Sequence, residues 1–175
     1  MAKITPAMQQ LITSRYWETT SLSDMNDAQW EAICDGCAKC CLHKFIDDDD
    51  VEEAHYTDAA KGEEVMHFTD IACQYLHTKS CQCTEYEDRT ELVPHCVKLT
   101  QANLPEIFYM PPSCSYRRLH AGQTLPSWHP LLNGGKAHKM HSMGMSVRGK
   151  IVNELEANMD LFEDRIVTWP LDEID

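Results

Sequence analysis

Four of the chain's nine cysteines fall within eight residues, Cys34-Asp-Gly-Cys37-Ala-Lys-Cys40-Cys41, in the pattern C-x2-C-x2-C-C. A two-residue spacer forms a tight turn that lets two sulfurs reach one centre. Overlapping pairs and adjacent cysteines serve disulfides poorly, because sequence neighbours bond each other only with strain. A metal uses them readily, since thiolates suit zinc, copper(I) and iron–sulfur centres. Cys73, Cys81, Cys83, Cys96 and Cys114 lie downstream, so the expected fold closes over this knot.

The length of 175 residues predicts one domain, 1–175, with its metal-ligand core at about residues 30–120. A hydrophobic fraction of 43% is enough for a core. The net charge of −13 is uneven. Residues 47–64 carry nine acids against one Lys, and residues 154–175 carry eight acids against one Arg. Residues 113–150 carry no acid, six Lys or Arg, and four His. Acidic flanks around a mildly basic centre argue against bulk nucleic-acid binding. The start, Met1-Ala-Lys-Ile-Thr-Pro6, lacks the apolar stretch of a signal peptide, and no apolar run reaches membrane-spanning length. The expectation is a cytoplasmic protein, whose reduced thiols serve a metal rather than disulfides.

Along the chain, Thr5-Pro6 opens a helix whose apolar positions Met8, Leu11, Ile12 and Tyr16 carry it to about Trp17. Asn26 and Gln29 form a variant capping box for a second helix that stops near Gly36. Residues 47–64 read as a solvated loop or fraying helix. The four aspartates Asp47 to Asp50 lack the alternation, Gly and Glu of a calcium loop. Residues 65–72 read as a short strand. Cys81 and Cys83 lie on one side of a strand if the segment is extended, or in a turn. Ser113 caps a short helix to about Ala121, with Cys114 in its first turn. Residues 126–135 read as loop and 145–152 as strand. Asn153 and Glu156 cap a last helix with a buried stripe of Leu155, Met159, Phe162 and Ile166.

The spacing leaves several divisions of the thiols open: two tetrahedral sites with one over, a cluster plus a structural zinc, or a multinuclear centre. Histidines are secondary candidates. His43 and His95 stand near cysteines in sequence and are possible substitutes for one. His138, Met140, His141, Met143 and Met145 form a His/Met-rich stretch, read as a mobile surface loop rather than a soft-metal site. His129 is either a loop residue or a site residue. Arg117 is placed to pair with the acidic flanks, and Arg118 on a solvated helix face.

The C-x2-C-x2-C-C run, Cys73-Gln-Tyr-Leu76, Cys81, Tyr86, Arg89 and Cys96 resemble the cysteine-cluster family described as zinc- or iron-chelating. Residues 111–117 (Pro-Pro-Ser-Cys-Ser-Tyr-Arg) and 125–131 (Leu-Pro-Ser-Trp-His-Pro-Leu) resemble its longer YcgN-like branch. The resemblance spans roughly Trp17 to Val152. It implies Cys34, Cys37, Cys40, Cys41, Cys73, Cys81 and Cys96 as metal ligands, with Cys83 and Cys114 as additions. A related cluster accompanies flagellin lysine N-methylases, but no G-x-G-x-x-G turn is present and that activity is not carried over.

The expected fold is a small α+β domain of helices and irregular metal-held loops with few short strands. The expected function is zinc or iron binding in a structural or regulatory role, with metal ions and a protein as partners and no membrane. An iron–sulfur or mixed-metal redox enzyme, or a metal buffer or carrier, are the other readings.

Overall fold

A computed structural model of the protein describes residues 4–46 and 66–173. The acidic stretch 47–64, and with it the calcium question at Asp47 to Asp50, lies outside the described residues.

The N-terminal helices form where local chemistry places them. Thr5 Oγ1 accepts the Met8 amide at 3.2 Å and Pro6 fills the first turn of α1 (Pro6–Ser14). Arg15 then turns left-handed (φ 47°), so the helix stops short of Trp17. A 3-10 turn, Tyr16–Glu18, buries Tyr16 and Trp17 instead. Helix α2 (Asp27–Glu31) opens with the expected capping box: the amide of Gln29 donates to Asn26 Oδ1, and that of Asn26 to Gln29 Oε1, both at 3.0 Å. It ends at Glu31, a turn before Gly36, which leaves the cysteine run outside any α-helix.

Strands β1 (Leu42–Ile46) and β2 (Met66–Ala72) pair antiparallel, with an irregularity between Leu42 and Lys44. A small hairpin of β3 (Leu76–His77) and β4 (Gln82–Cys83) follows. Helices α3 (Arg89–Leu92), α4 (Ser115–His120) and α5 (His138–Ser142) come next, with a kinked 3-10 segment, Gln101–Tyr109, between the first two. The far edge of β2 is shared by β5 (Val152–Asn153), parallel to Ile71 and Ala72, and β6 (Ile166–Val167), antiparallel to Phe68 and Thr69. The fold is therefore α+β with short strands, as expected.

Three expectations fail. Of residues 145–152, only Val152 enters a strand, because Gly149 (φ 74°) and a turn from Val147 to Lys150 break the extension. Among the described residues, no α-helix follows Asn153. Its side chain accepts the Leu155 amide at 2.9 Å in a tight turn, leaving Leu155 74% exposed. A kinked 3-10 segment, Met159–Arg165, runs there; Phe162 meets Phe45 edge-on at 5.3 Å, and Met159 and Ile166 stay exposed. The third concerns 138–145, which is not a mobile surface loop: α5 buries Met140, and Met145 joins it against Trp128.

Three apolar clusters make the core. Ile33 belongs to the one that packs helices around Tyr16, Leu104 and Tyr116. Ala38 and Leu42 belong to the sheet cluster with Phe68 and Leu76. Cys37 packs on the third, around Trp128. The cysteine run thus forms the seam where all three meet.

Candidate metal centre

The turn at Cys34-Asp-Gly-Cys37 follows from its two middle residues. Asp35 Oδ1 accepts the Cys37 amide at 3.0 Å, and Gly36 adopts φ 73°, which only glycine takes without strain. Ala38 is also left-handed (φ 62°), reversing the chain before the 3-10 turn Lys39–Cys41. Backbone amides are aimed at the sulfurs: Gly36 at Cys34, Lys39 at Cys37, Tyr75 at Cys73, and Tyr116 and Arg117 at Cys114. In all four cases the amide two residues on is a donor. Such bonds favour thiolate over thiol and are the outer-shell support that thiolate metal centres use.

The thiols come together from separate segments. Cys41 ends at the mouth of β1 and Cys73 begins at the end of β2, and the Cys73 amide donates to the Cys41 carbonyl at 3.0 Å. Cys83 sits in β4 opposite Leu76, whose amide bonds the Cys73 carbonyl at 2.9 Å. Cys96 lies within electrostatic range of Cys40 and Cys83. Cys114 stands just before α4, within range of Cys40 and Asp35. Cys34 has Cys40 and Cys114 as neighbours, and Cys37 has Cys40 and Cys34.

Cys81 is set apart. Left-handed backbone (φ 58°) turns its thiol away from Cys83 and into the sheet core, against Ser146 and Arg148. The two geometries open for Cys81 and Cys83 divide between them: Cys81 stands in a turn and Cys83 in β4.

Burial, with help from Asp35, pushes the Cys34 and Cys37 thiols well above their ordinary range, although Cys34 keeps surface open to solvent. Burial raises Cys114 to about 11, and raises Cys73 and Cys96 as well. Cys40 and Cys41 titrate as a pair, their sulfurs 3.9 Å apart. The Cys41 thiol donates to Cys40, drawing Cys40 down to about 7 and holding the proton on Cys41.

Donor chemistry and amide bonding fit a thiophilic metal. Among the described residues, however, no three Cys, His, Asp or Glu side chains are close enough together to enclose a metal ion. Among the described residues, two buried donors lack partners: the indole N–H of Trp128, in the cluster on which Cys37 packs, and the hydroxyl of Ser115, next to Cys114 in sequence. Both are orphans beside thiols, where an added acceptor would satisfy them.

The histidines do not join this array. His129 is wholly buried; its Nδ1 accepts the Leu131 amide at 3.1 Å, so Nε2–H donates to the Ile33 carbonyl at 2.9 Å and fixes the backbone just before Cys34. His43 meets Glu154, whose other oxygen accepts the Gln74 amide at 2.9 Å. His95 is exposed. His141 bonds Ser146 at 2.7 Å, while Met140 and Met145 turn inward, so the His/Met stretch offers no convergent site. Arg117 donates to the Phe108 and Met110 carbonyls rather than to the acidic flanks; Arg118 reaches Glu173 at 3.9 Å.

Sequence reasoning missed Lys39. It is 0% exposed, and its ammonium donates to Ser113 Oγ at 2.9 Å and the Pro170 carbonyl at 3.1 Å. Asp35, 7% exposed, was missed with it. The only signal available was their place between cysteines of the run.

This fold and thiol array define an α+β cysteine-cluster protein. A family model, CxxCxxCC, described as a "Putative zinc- or iron-chelating domain", matches residues 33–115. The chain is 46% identical over 158 residues to a UPF0260 protein of Shewanella frigidimarina, covering 90% of this chain and 96% of that protein. It is 46% identical over 156 residues to one from Parvibaculum lavamentivorans (89% and 93% covered), and 43% over 159 residues to one from Proteus mirabilis (91% and 97%). The chain belongs to the UPF0260 family. No solved structure matches it. Among the described residues, no helix is long and apolar enough to cross a membrane.

Proposed function

We propose that this is a cytoplasmic metal-binding protein whose clustered thiols hold zinc or iron, and that the metal organises residues 1–175 into one domain with a binding or regulatory role toward a protein partner. One observation carries the reading. Cys37, Cys41 and Cys114 each border a different one of the three core clusters, the Cys40 and Cys41 sulfurs lie 3.9 Å apart, and at least four sulfurs accept backbone amides. Unliganded thiols need no such arrangement, whereas a structural metal contributes folding free energy through it.

Elemental analysis and an absorption spectrum, on protein purified without oxygen and without an affinity-tag metal, test this. Bound zinc without a visible band, lost together with structure when a strong chelator is added, is the expected result for structural zinc. Neither zinc nor iron, with all nine thiols free, would sink the proposal.

An iron–sulfur centre, with redox chemistry, is the second reading, and one observation favours it. Among the described residues, two buried donors, the indole N–H of Trp128 and the hydroxyl of Ser115, lack acceptors. Inorganic sulfide would supply them. Brown protein absorbing near ~400 nm, with acid-labile sulfide, is its signature.

A further inference from the structure

We propose that the groove between the β3–β4 hairpin and the chain from Arg148 to Glu156 binds an extended acidic peptide of a protein partner. Lys79 and Arg148 hold its carboxylates, and Leu76, Ile151 and Leu155 take its apolar side chains. The proposal rests on the binding role given above to a protein partner, and not on the metal.

Two turns shape the groove, whose volume is about 980 Å³. One wall is the hairpin, closed where the Cys81 amide donates to the His77 carbonyl at 2.9 Å. The other starts at the left-handed Gly149 (φ 74°) and ends at the Asn153 side-chain turn, which leaves Leu155 74% exposed. Ile151, Asn153 and Leu155 line that wall at every second residue, the period of extended chain. On the hairpin wall, four consecutive residues, 76–79, line the groove. Alternate side chains of a strand face opposite ways, so a consecutive run presents the strand's edge rather than a face. Leu76 and Cys83 form a non-hydrogen-bonded pair, because the Thr84 amide reaches past them to the Tyr75 carbonyl at 2.8 Å. The Leu76 carbonyl therefore points away from β4, and among the described residues β3 has no second strand partner. An open strand edge facing a wall of extended chain admits an extended peptide.

Charge decides which peptide. The protein carries a net charge of −13, yet the groove sets Lys79 and Arg148 against one acid, Glu156. Neither cation meets a carboxylate within 4.0 Å among the described residues. Lys79 is exposed, while Arg148 donates to the Cys81 sulfur, which anchors its guanidinium beside the hairpin. His77 Nδ1 accepts the Ser80 amide at 3.2 Å, leaving Nε2–H as a further donor. Carboxylates gain charge-assisted hydrogen bonds here that the acidic surface elsewhere refuses. Small-molecule pockets span about 300–1,000 Å³ and enclose their ligand. A groove at the upper end of that range, open to solvent and edged by the exposed Leu155, suits a chain better than a small anion.

The test presents the full-length protein to an arrayed library of short peptides graded from acidic through neutral to basic, and measures the best binders by fluorescence anisotropy. Metal content is determined on the same samples, so a failure of the metal reading and a failure of the groove are told apart. The expected binders are rich in acidic and apolar side chains. Lys79→Glu and Leu155→Ser, both at exposed positions, each weaken them more than about tenfold, the scale of one interface anchor, with circular dichroism and metal content unchanged. Lys79→Glu also shifts selection toward lysine-containing peptides, a gain that misfolding cannot produce. No preference for acidic peptides, or affinities that neither substitution moves, would overturn the proposal. Inorganic phosphate or free glutamate competing as strongly as the peptide would make this a small-anion site instead. A concentration-dependent dimer that Leu155→Ser dissociates, with no peptide bound, would make a second copy the occupant and overturn it equally.

Discussion

The buried ammonium of Lys39 donates to Ser113 Oγ at 2.9 Å, joining the first cysteine run to the segment of Cys114 across 74 residues of sequence. Burial lowers the pKa of Lys39, while Cys37 and Asp35 raise it. The charge is therefore costly without anionic sulfur nearby and favourable with it. Its second hydrogen bond, to the Pro170 carbonyl at 3.1 Å, brings the C-terminal segment to the same point.

Lys39→Met is expected to weaken metal binding more than about tenfold, the usual scale for removing outer-shell support. Competition with a chromophoric chelator measures it. Unchanged affinity would show that Lys39 serves only as a tie between segments.

Trp128→Phe separates packing from hydrogen bonding. In the loaded protein the indole N–H either finds an acceptor at the centre or remains an orphan. If it serves the centre, Phe shifts the charge-transfer band or lowers metal affinity. An unserved donor predicts an unchanged spectrum and a packing loss on the order of 1 kcal/mol, read from the urea midpoint.

Metal uptake should release protons. Burial raises Cys34, Cys37, Cys73, Cys96 and Cys114 above the ordinary thiol value of 9.0, so the metal-free fold holds these protons at neutral pH. The Cys40–Cys41 pair, with one step near 7, is where the first proton leaves most easily. Apparent affinity is expected to rise steeply between pH 6 and 8, with protons appearing in a weakly buffered titration. A pH-independent affinity would exclude thiolate ligands. For groups with raised pKa, stability is full below about 9 and is lost as pH climbs through the folded values.

Part of this was legible in the sequence. Thr5-Pro6 and the Asn26/Gln29 box acted locally, so their helices began where read, although each ended sooner, at Ser14 and Glu31. The thiols around Cys34 were legible because short spacing fixes short distances. What failed depended on tertiary partners. Met140 and Met145 read as part of a mobile surface loop, whereas Trp128 covers them. The last helix had a plausible stripe, but Asp70 takes Arg165 in a two-point ion pair at 2.7 Å and β2 takes Ile166 as a strand partner. The inward turn of Cys81 rests on one left-handed residue that composition does not announce.

His129 provides a pH test that metal does not dominate. Burial lowers its pKa below the ordinary 6.5, because the neutral ring, fixed by the Leu131 amide and the Ile33 carbonyl, has little access to water. The folded protein thus binds this proton more weakly than the unfolded chain. Above about 6.5 both states are neutral and the contribution to stability is complete. As pH falls below 6.5, the unfolded chain takes up a proton that the fold resists, and stability drops by up to about 1.4 kcal/mol per pH unit until the folded pKa is reached. Metal loss also destabilises the protein in acid, so the informative quantity is the difference from His129→Gln, which keeps an amide capable of accepting and donating but cannot titrate. The variant is expected to be less stable at pH 8 and to lose less between pH 6.5 and 5, so that the two urea-midpoint curves converge. Parallel curves would mean that His129 has the same pKa in the folded and unfolded states, so that burial does not hold its ring neutral.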